Sequence, residues 1–308
     1  MNDPRPLPPT DTAARTMRAG LLYGLVAYVL WGVMPIYFKQ IQAVPAVDIV
    51  AHRIVWSLLM LAGLLTVVRA WSEVRAALQN RRTVLILCAT SVLIAANWLA
   101  YVYAINSGHI LAGSLGYYLN PLANILLGRF VLKEPLSRLQ WLAVAIAAAG
   151  IAVLAAGAVD TLWLSMILCI SFASYGLLRK IVKVDSLAGL SIETALLFPF
   201  AIGWLLLGGA AGRPLIGSSN AETWLLVASG IVSTIPLLCF TAAARRLPYS
   251  TVGILQFIAP TLQFLLAVAI YDEPFTRAHA IAFGAIWTAM ALYIVSMIDT
   301  RRRAALAS

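Results

Sequence analysis

Ten long apolar segments fill this chain and leave only short polar connections between them. A helix that crosses a bilayer needs about 20 mostly apolar residues. Only 11% of the 308 residues are charged, against about 25% in a soluble domain. The sequence therefore predicts an all-α membrane protein in the lipid bilayer, with ten transmembrane helices at 20–41, 48–68, 83–105, 110–131, 139–157, 161–179, 189–209, 222–244, 250–271 and 279–298.

The basic residues are distributed unevenly between the two ends of these segments. If the N-terminus is cytoplasmic, 18 of the 22 Lys and Arg fall on the cytoplasmic side, and Arg53 lies within a segment. The remaining three, on the other side, are Lys39, Arg213 and Arg277. Positively charged loops are retained in the cytoplasm, so both termini are predicted to be cytoplasmic. The net charge of +10 is thus a topology signal and predicts no nucleic-acid partner.

The chain divides into two halves between polar tails. Residues 1–19 are rich in proline and predict a disordered cytoplasmic tail, and residues 299–308 predict a basic cytoplasmic tail. Between the tails we predict a first five-helix repeat at 20–157 and a second, inverted five-helix repeat at 161–298.

A shift of 139 residues aligns the second half of the chain with the first. Pro121 falls on Pro260, and the segment 133–138 (KEPLSR) falls on 272–277 (DEPFTR). Because five helices is an odd number, the second copy enters the membrane from the opposite face. Inverted repeats of this kind are typical of secondary transporters, whose solute site lies near the bilayer midplane between the repeats.

Polar side chains form a stripe on one face of the fourth predicted helix and recur in the ninth. Tyr117, Asn120 and Asn124 are at helical spacing. The repeat partners of Tyr117 and Asn124 are Gln256 and Gln263. We interpret this stripe as part of a substrate pathway. The alternative is that these groups only hydrogen-bond one helix to another.

Further pathway candidates are aromatic and polar side chains in the first, second, third and sixth segments. An amide beside aromatic rings suits an amphipathic or aromatic solute, although packing and interfacial anchoring use the same residues. These candidates are Trp31, His52, Arg53, Asn97, Trp98, Tyr101 and Tyr175. Prolines inside a span free a backbone carbonyl from the helix, and the predicted helix breaks are Pro35, Pro121, Pro236 and Pro260.

Two charges lie well inside predicted helices, where insertion scales put the cost at about 2.5–3.5 kcal/mol. Arg53 is near the outer end of its helix and Glu193 near the inner end, so their heights should differ by roughly 15–20 Å. They should therefore pair with the hinge residues on their own sides, as gates that break alternately. The candidate gate or coupling residues are Arg53 with Asp272 or Glu273 outside, and Glu193 with Lys133 or Arg129 inside, beside Glu134. The alternative for Arg53 is that it snorkels to the headgroups.

No pattern in the sequence indicates catalysis. There is no HExxH motif, no P-loop and no pair of acids within the apolar segments. The three cysteines are scattered singly and make neither a disulfide framework nor a metal site. We therefore predict that the protein is not an enzyme and binds no metal or cofactor.

Short motifs recur along nearly the whole chain in a specific combination. They lie at 27–39, 52–57, 97–98, 114–124, 175–180, 236–241 and 256–262. In this combination the chain resembles the RarD branch of the EamA-type transporters, within the drug/metabolite transporter (DMT) superfamily. The resemblance implies ten helices in two EamA repeats, a bacterial inner (plasma) membrane location and efflux of small metabolites or drugs. It implies no particular substrate.

These observations predict a secondary transporter that exports a small organic metabolite or drug by alternating access. Its partners would be the small-molecule substrate and the lipid bilayer. The small residues at 143–150 permit close helix packing and predict either an internal scaffold or the face of a homodimer. The alternative function is a non-transporting membrane scaffold or sensor, in which the polar stripe could be made apolar without loss of function.

Overall fold

The computed structural model describes residues 9–106, 110–156, 160, 162–270 and 277–306. Within these ranges the chain is almost entirely helical and contains no strand. The helices are α1 (Pro9–Gln40), α2 (Ala46–Val67), α3 (Trp71–Gln79), α4 (Arg81–Asn106), α5 (Ile110–Phe130), α6 (Arg138–Ala155), α7 (Leu162–Ile181), α8 (Ser186–Ala210), α9 (Asn220–Arg246), α10 (Tyr249–Gln256), α11 (Ile258–Ile270) and α12 (Arg277–Leu306).

Nine stretches of the described residues are long and apolar enough to cross a membrane. They correspond to α1, α2, α4, α6, α7, α8, α9, α10 together with α11, and α12. Their outer faces carry exposed apolar side chains, such as Phe200 at 77% and Leu207 at 73% exposure, which is the surface expected of a helix that faces lipid. Helix α5 is not among the nine, so the tenth span stays a prediction.

The short helix α3 was not predicted from the sequence. Hydropathy placed this segment in a polar connection between the second and third spans. Val74 and Ala77 on one face of α3 are buried, and they pack with Leu65 of α2 and Leu87 of α4. The opposite face is polar and exposed. A helix with one apolar face and only 9 residues is too short to span a bilayer, so hydropathy alone does not detect it.

The first and last helices of the chain extend beyond the predicted spans. Helix α1 begins at Pro9 and α12 continues to Leu306. The prediction of a disordered tail is therefore wrong for residues 9–19. This segment is rich in good helix formers such as Ala, Arg and Met, and proline is favoured at the first position of a helix.

Three of the four predicted helix breaks are absent, because the helices continue through these prolines: Pro35, Pro121 and Pro236. The fourth prediction coincides with an interruption, at Phe257 between α10 and α11. Pro260 has no N–H to offer the carbonyl of Gln256, so the helical ladder loses a bond there. At the other three prolines the missing hydrogen bond is tolerated, because neighbouring helices hold the backbone in place.

Helices from the two halves of the chain interlock throughout the molecule. Helix α1 packs against α9 and α11, α2 against α8 and α9, α4 against α7 and α8, and α5 against α7 and α10. Helix α6 packs along α12, where Gly150 lies so close to Ala285 that a Cβ at position 150 would be 2.6 Å from the Ala285 Cβ. Ala143, Ala147 and Gly150 of α6 thus serve internal packing, whereas Ala145, Ala148 and Ala149 are exposed. The homodimer stays a prediction.

Candidate functional site

The side chain of Arg53 lies among aromatic rings. Its guanidinium carbon is 4.7 Å from the centroid of the Trp98 ring on α4, a cation–π distance. It also interacts electrostatically with the phenol groups of Tyr37, Tyr101 and Tyr117. Its Nε atom is buried and has no hydrogen-bond partner. In the described part of the chain, no carboxylate lies within ion-pair distance of Arg53.

Arg53 borders a small cavity between α2, α4, α8 and α9, which we call the Arg53 cavity. Its polar lining comes from five side chains, with Trp98 and four aliphatic residues completing the wall: Arg53, Ser57, Thr194, Ser233 and Thr234. The cavity has a volume of about 20 Å³ for the centre of a water molecule, which is room for about one water. A larger solute could enter only if the surrounding helices moved apart.

Two of the cavity hydroxyls are already used by the backbone. Ser57 Oγ donates to the carbonyl of Gly230 at 3.2 Å, and Thr194 Oγ1 donates to that of Leu190 at 2.8 Å. Thr234 is 2% exposed and its hydroxyl has no partner. Thr234 Oγ1 and Arg53 Nε are thus two unpaired polar atoms on the lining of one cavity. None of these four hydroxyl residues was predicted from the sequence, because a single Ser or Thr in an apolar helix is common.

The predicted polar stripe is partly assembled by α5, α10 and α11. Asn124 Nδ2 donates to Gln256 Oε1 at 2.6 Å and so links the two halves of the chain. Gln263 Nε2 donates to the carbonyl of Trp31 at 3.0 Å. Asn120 is fully buried, and neither its amide nitrogen nor its amide oxygen has a partner. An entirely unpaired buried amide is rare in native proteins and needs an explanation.

The remaining pathway candidates have mainly structural contacts. Asn97 Nδ2 donates to the carbonyl of Leu168 at 2.9 Å and to Ser171 Oγ at 3.0 Å. These bonds hold α4 against α7. For Asn97 this agrees with the alternative that the polar side chains hydrogen-bond one helix to another. Tyr101 and Tyr117 pack edge to face with their centroids 5.4 Å apart. His52 is buried on α2.

Glu193 and Arg179 form an ion pair in the interior of the protein. Arg179 Nε is 3.7 Å from Glu193 Oε1, and the side chains are 0% and 1% exposed. Thr90 donates to Glu193 Oε1 at 2.5 Å, and Tyr175 donates to Oε2 at 3.2 Å. Room for the guanidinium exists because Gly189 has no side chain, since a Cβ there would collide with it.

The predicted partners of Glu193 in the inner gate are therefore wrong. Glu193 pairs with Arg179 of α7, not with Lys133 or Arg129, and Arg179 is buried although the charge count placed it in the cytoplasm. Tyr175 and Arg179 are four residues apart, so they lie on the same face of α7. The sequence shows this spacing but not the direction in which that face points.

Glu134 acts as a cap on another helix. Its carboxylate accepts from the backbone N–H groups of Tyr249 at 2.6 Å and Ser250 at 3.0 Å, and from Ser250 Oγ at 2.8 Å. These are the first residues of α10, whose N–H groups have no partner within the helix. Glu134 thus joins the end of α5 to the start of α10. Lys133 beside it adopts a left-handed turn, with φ 58°.

Glu134→Ala should lower the free energy of unfolding by about 1–2 kcal/mol, because a charged N-cap contributes about that much. The measurement is the unfolding midpoint of the purified protein in detergent. Glu73→Ala, on the exposed face of α3, is the control and should change stability little. Equal midpoints for the two variants would contradict the capping role.

The acids proposed for the outer gate, Asp272 and Glu273, lie outside the described residues. On the same side, Asp48 of α2 accepts from Arg213 at 2.8 Å and from Trp204 Nε1 at 2.7 Å. The Arg213 guanidinium carbon is 4.9 Å from the Trp204 ring centroid. These contacts tie the start of α2 to the end of α8.

Asp185 makes the corresponding connection at the other end of α8. Its carboxylate accepts from the N–H of Leu187 and from Arg245 of α9, both at 3.0 Å. Partial burial would raise the pKa of Asp185, but the Leu187 N–H and the Arg245 guanidinium hold the pKa below its usual range. A lowered pKa means that the contact stabilises the fold above the unfolded-state pKa, and this stabilisation is lost as the pH falls through the folded-state pKa.

Together the fold and these buried polar groups define a multi-pass, all-helical membrane protein with a polar interior. Residues 18–156 match the EamA-like transporter family. An uncharacterized transporter of Pseudomonas aeruginosa is 45% identical over 94% of this chain and 98% of its own length. Protein RarD of Escherichia coli (strain K12) is 41% identical over 94% of this chain and 98% of its own length. The chain belongs to the RarD branch of the EamA transporter family, as its motifs predicted.

Two further similarities are informative. The chloramphenicol-sensitive protein RarD of Pseudomonas aeruginosa is 32% identical over 89% of this chain and 92% of its own length. A protein of known crystal structure superposes with a TM-score of 0.71 at 20% identity, and covers 91% of this chain and 98% of its own. At that identity the second similarity shows the fold alone. The matching family and one of these relatives are named as transporters, which points to a protein that is not an enzyme.

Proposed function

We propose that this protein is a secondary transporter that exports a small organic metabolite or drug across the bacterial inner membrane by alternating access. The observation that carries the proposal is a group of four of the ten unpaired polar side-chain atoms buried in the described residues: Arg53 Nε, Thr234 Oγ1 and both amide atoms of Asn120. Native proteins pair almost all of their buried polar groups. Polar groups left unpaired inside a transporter fold are suited to a solute that binds and leaves.

The packing of the helices supports two inverted repeats. We take α1, α2, α4, α5 and α6 as one set and α7, α8, α9, α10 with α11, and α12 as the other. The α1–α9 contact then corresponds to α7–α4, the α2–α9 contact to α8–α4, and the α5–α7 contact to α11–α1. The α2–α8, α5–α10 and α6–α12 contacts each correspond to themselves. This is the pattern of a pseudo-two-fold axis, about which one repeat can rock against the other.

Alternating access requires closing contacts at both ends of the pathway. With both termini in the cytoplasm, the inner contacts between the two sets include the bond from Thr90 to Glu193 and the bonds from Tyr249 and Ser250 to Glu134. The outer contacts include Arg213–Asp48 and the bond from the Tyr37 hydroxyl to the carbonyl of Leu225, at 2.5 Å. Opening to one side would break one group of contacts and keep the other.

Asn120→Leu should separate transport from stability. Leucine has a similar volume and removes an unpaired amide, so we expect the variant to be as stable as the wild type or more stable by about 1 kcal/mol. If the amide contacts the solute, flux should fall by about tenfold or more, the effect of losing roughly 1.4 kcal/mol of binding. The matched control is Thr288→Val, an exposed hydroxyl that bonds only within its own helix, to Gly284 at 2.8 Å.

The measurement is uptake or release of labelled solutes by proteoliposomes, with and without a proton gradient. The panel contains amino acids, nucleosides and chloramphenicol, the last because one relative is named for sensitivity to it. Flux in the wild type and the control, with loss in Asn120→Leu, supports transport through this region. No flux for any solute, from folded and correctly oriented protein, would favour the scaffold or sensor alternative.

A further inference from the structure

The Arg53 cavity combines a cation that pairs with no carboxylate of the described residues and several apolar side chains on the wall. Among the residues that the structure describes, Arg53 has aromatic neighbours but no acid. Arg179, which is fully buried, has its carboxylate at 3.7 Å. Arg213, which does not line the cavity, also has one, from Asp48 at 2.8 Å. A cation left without an anion inside a membrane protein is costly, so Arg53 is the exception that calls for an explanation.

A carboxylate would satisfy the unpaired atoms of this cavity. Guanidinium groups bind carboxylates through charge-assisted, often bidentate, hydrogen bonds. Thr234 Oγ1, which is unpaired and buried, can donate a further bond to the same group. A cationic solute would be repelled by Arg53, and a neutral one would leave the charge uncompensated.

The rest of the cavity suits an apolar body. Leu190, Leu197 and Leu237 lie on its wall together with the Trp98 ring. Binding sites for small molecules are typically apolar with a few polar groups that fix the orientation of the ligand. Because the cavity has room for about one water, the solute must separate α2, α8 and α9 as it enters.

We propose that the Arg53 cavity binds the carboxylate of a small amphipathic carboxylic acid, with Arg53 and Thr234 on the carboxylate and Trp98 beside the apolar body. This assignment rests on the proposed transport function and names the class of its solute. Arg53 is then a binding residue rather than a gate. A gate would need an acid of the protein, whereas a binding site needs an anion on the solute.

The test is ligand-induced stabilisation of the purified wild-type protein at neutral pH. The probes are phenylacetate, phenylpropionate and indoleacetate, each beside its neutral primary amide. A ligand that binds the folded state raises the unfolding midpoint in a concentration-dependent way. We expect at least one carboxylate to raise the unfolding midpoint. The matching amide should bind at least about tenfold more weakly, because a charge-assisted hydrogen bond contributes about 1.5–3 kcal/mol.

Variants assign the effect to the cavity. Arg53→Gln should abolish the stabilisation by the carboxylate, Arg53→Lys should retain part of it, and Thr234→Val should weaken binding by roughly fivefold, the effect of one lost hydrogen bond. Arg75→Gln, which removes an exposed cation of α3 outside the cavity, should bind as the wild type does. If Arg53→Gln does not fold, Thr234→Val and the comparison of acid with amide still decide the question.

The results separate this inference from the proposed transport. Stabilisation by carboxylates that depends on Arg53, without flux of these or any other solutes of the panel in proteoliposomes, supports the binding site and contradicts transport. Flux of neutral or cationic solutes, with no stabilisation by any of the three carboxylates, overturns the binding site and leaves transport standing. Equal stabilisation by acid and amide, or unchanged binding in both Arg53→Gln and Thr234→Val, also overturns it.

Discussion

Arg179→Ala should destabilise the folded protein by about 3–5 kcal/mol, because it leaves the Glu193 carboxylate buried without its counter-ion. Glu193 is 1% exposed and cannot reach water in this arrangement. The hydroxyls of Thr90 and Tyr175 would still donate to it, but they carry no charge. This is the largest single-residue effect that we expect for this protein.

The check is a double-mutant cycle on stability. The free energy of unfolding is measured in detergent micelles by titration with a denaturing detergent. The variants are Arg179→Met, Glu193→Leu and the double variant. Since an apolar pair of similar volume can replace a buried ion pair at little cost, the double variant should be more stable than either single one. Additive losses would contradict a direct pairing of the two charges.

Gly230→Val should be the second most damaging change, with a loss of about 2–3 kcal/mol from overpacking. At this position α9 crosses α2 so closely that a Cβ would be 2.5 Å from the Trp56 carbonyl carbon and 2.8 Å from the Ser57 nitrogen. Both are backbone atoms, which cannot move aside as a flexible side chain can. The helices must therefore separate, and the bond from Ser57 Oγ to the Gly230 carbonyl, at 3.2 Å, should be lost.

Gly203→Val is the matched control for Gly230→Val. Gly203 is also inside a long apolar helix, α8, but no atom lies within 4 Å of the place its Cβ would take. Valine there should be neutral or slightly stabilising, since glycine is a poor helix former by about 1 kcal/mol. If both valine variants unfold at the same midpoint, close approach of α2 and α9 is not important for stability.

Because α2 and α9 both line the Arg53 cavity, the Gly230 variant should also reduce flux. Activity and stability need not fall in proportion. A variant that folds but transports poorly would indicate that the spacing of these two helices matters for access to the cavity. This comparison uses the same preparations as the stability measurement.

The embedded charges show how far reasoning from sequence can go. Counting residues along each helix placed Arg53 and Glu193 at different heights, and Glu193 indeed pairs with another residue. The identity of that partner could not be obtained in the same way. Arg179 lies only two residues before the end of α7, where the sequence suggests a cytoplasmic loop. Its burial depends on the rotation of α7 and on the space left by Gly189.

The polar stripe gives a similar contrast. Helical spacing correctly grouped Asn120 and Asn124 on one face, and Gln256 was named through the repeat. Only the packing of α5 against α10 determines that Asn124 reaches Gln256 while Asn120 has no partner. The prolines are comparable, because their chemistry is known from the sequence but neighbouring helices decide whether the backbone is interrupted.

The sequence by itself determined that this is a helical membrane protein of the RarD branch, because hydropathy, charge bias and family motifs are properties of the chain read in order. The tertiary structure decided which polar groups meet and which stay unpaired. The partner of Glu193, the cap on α10 and the Arg53 cavity each join residues that are far apart in the chain or on separate helices. Such contacts depend on the rotation and spacing of packed helices, and an apolar helix presents nearly the same sequence signal whichever face it turns inward.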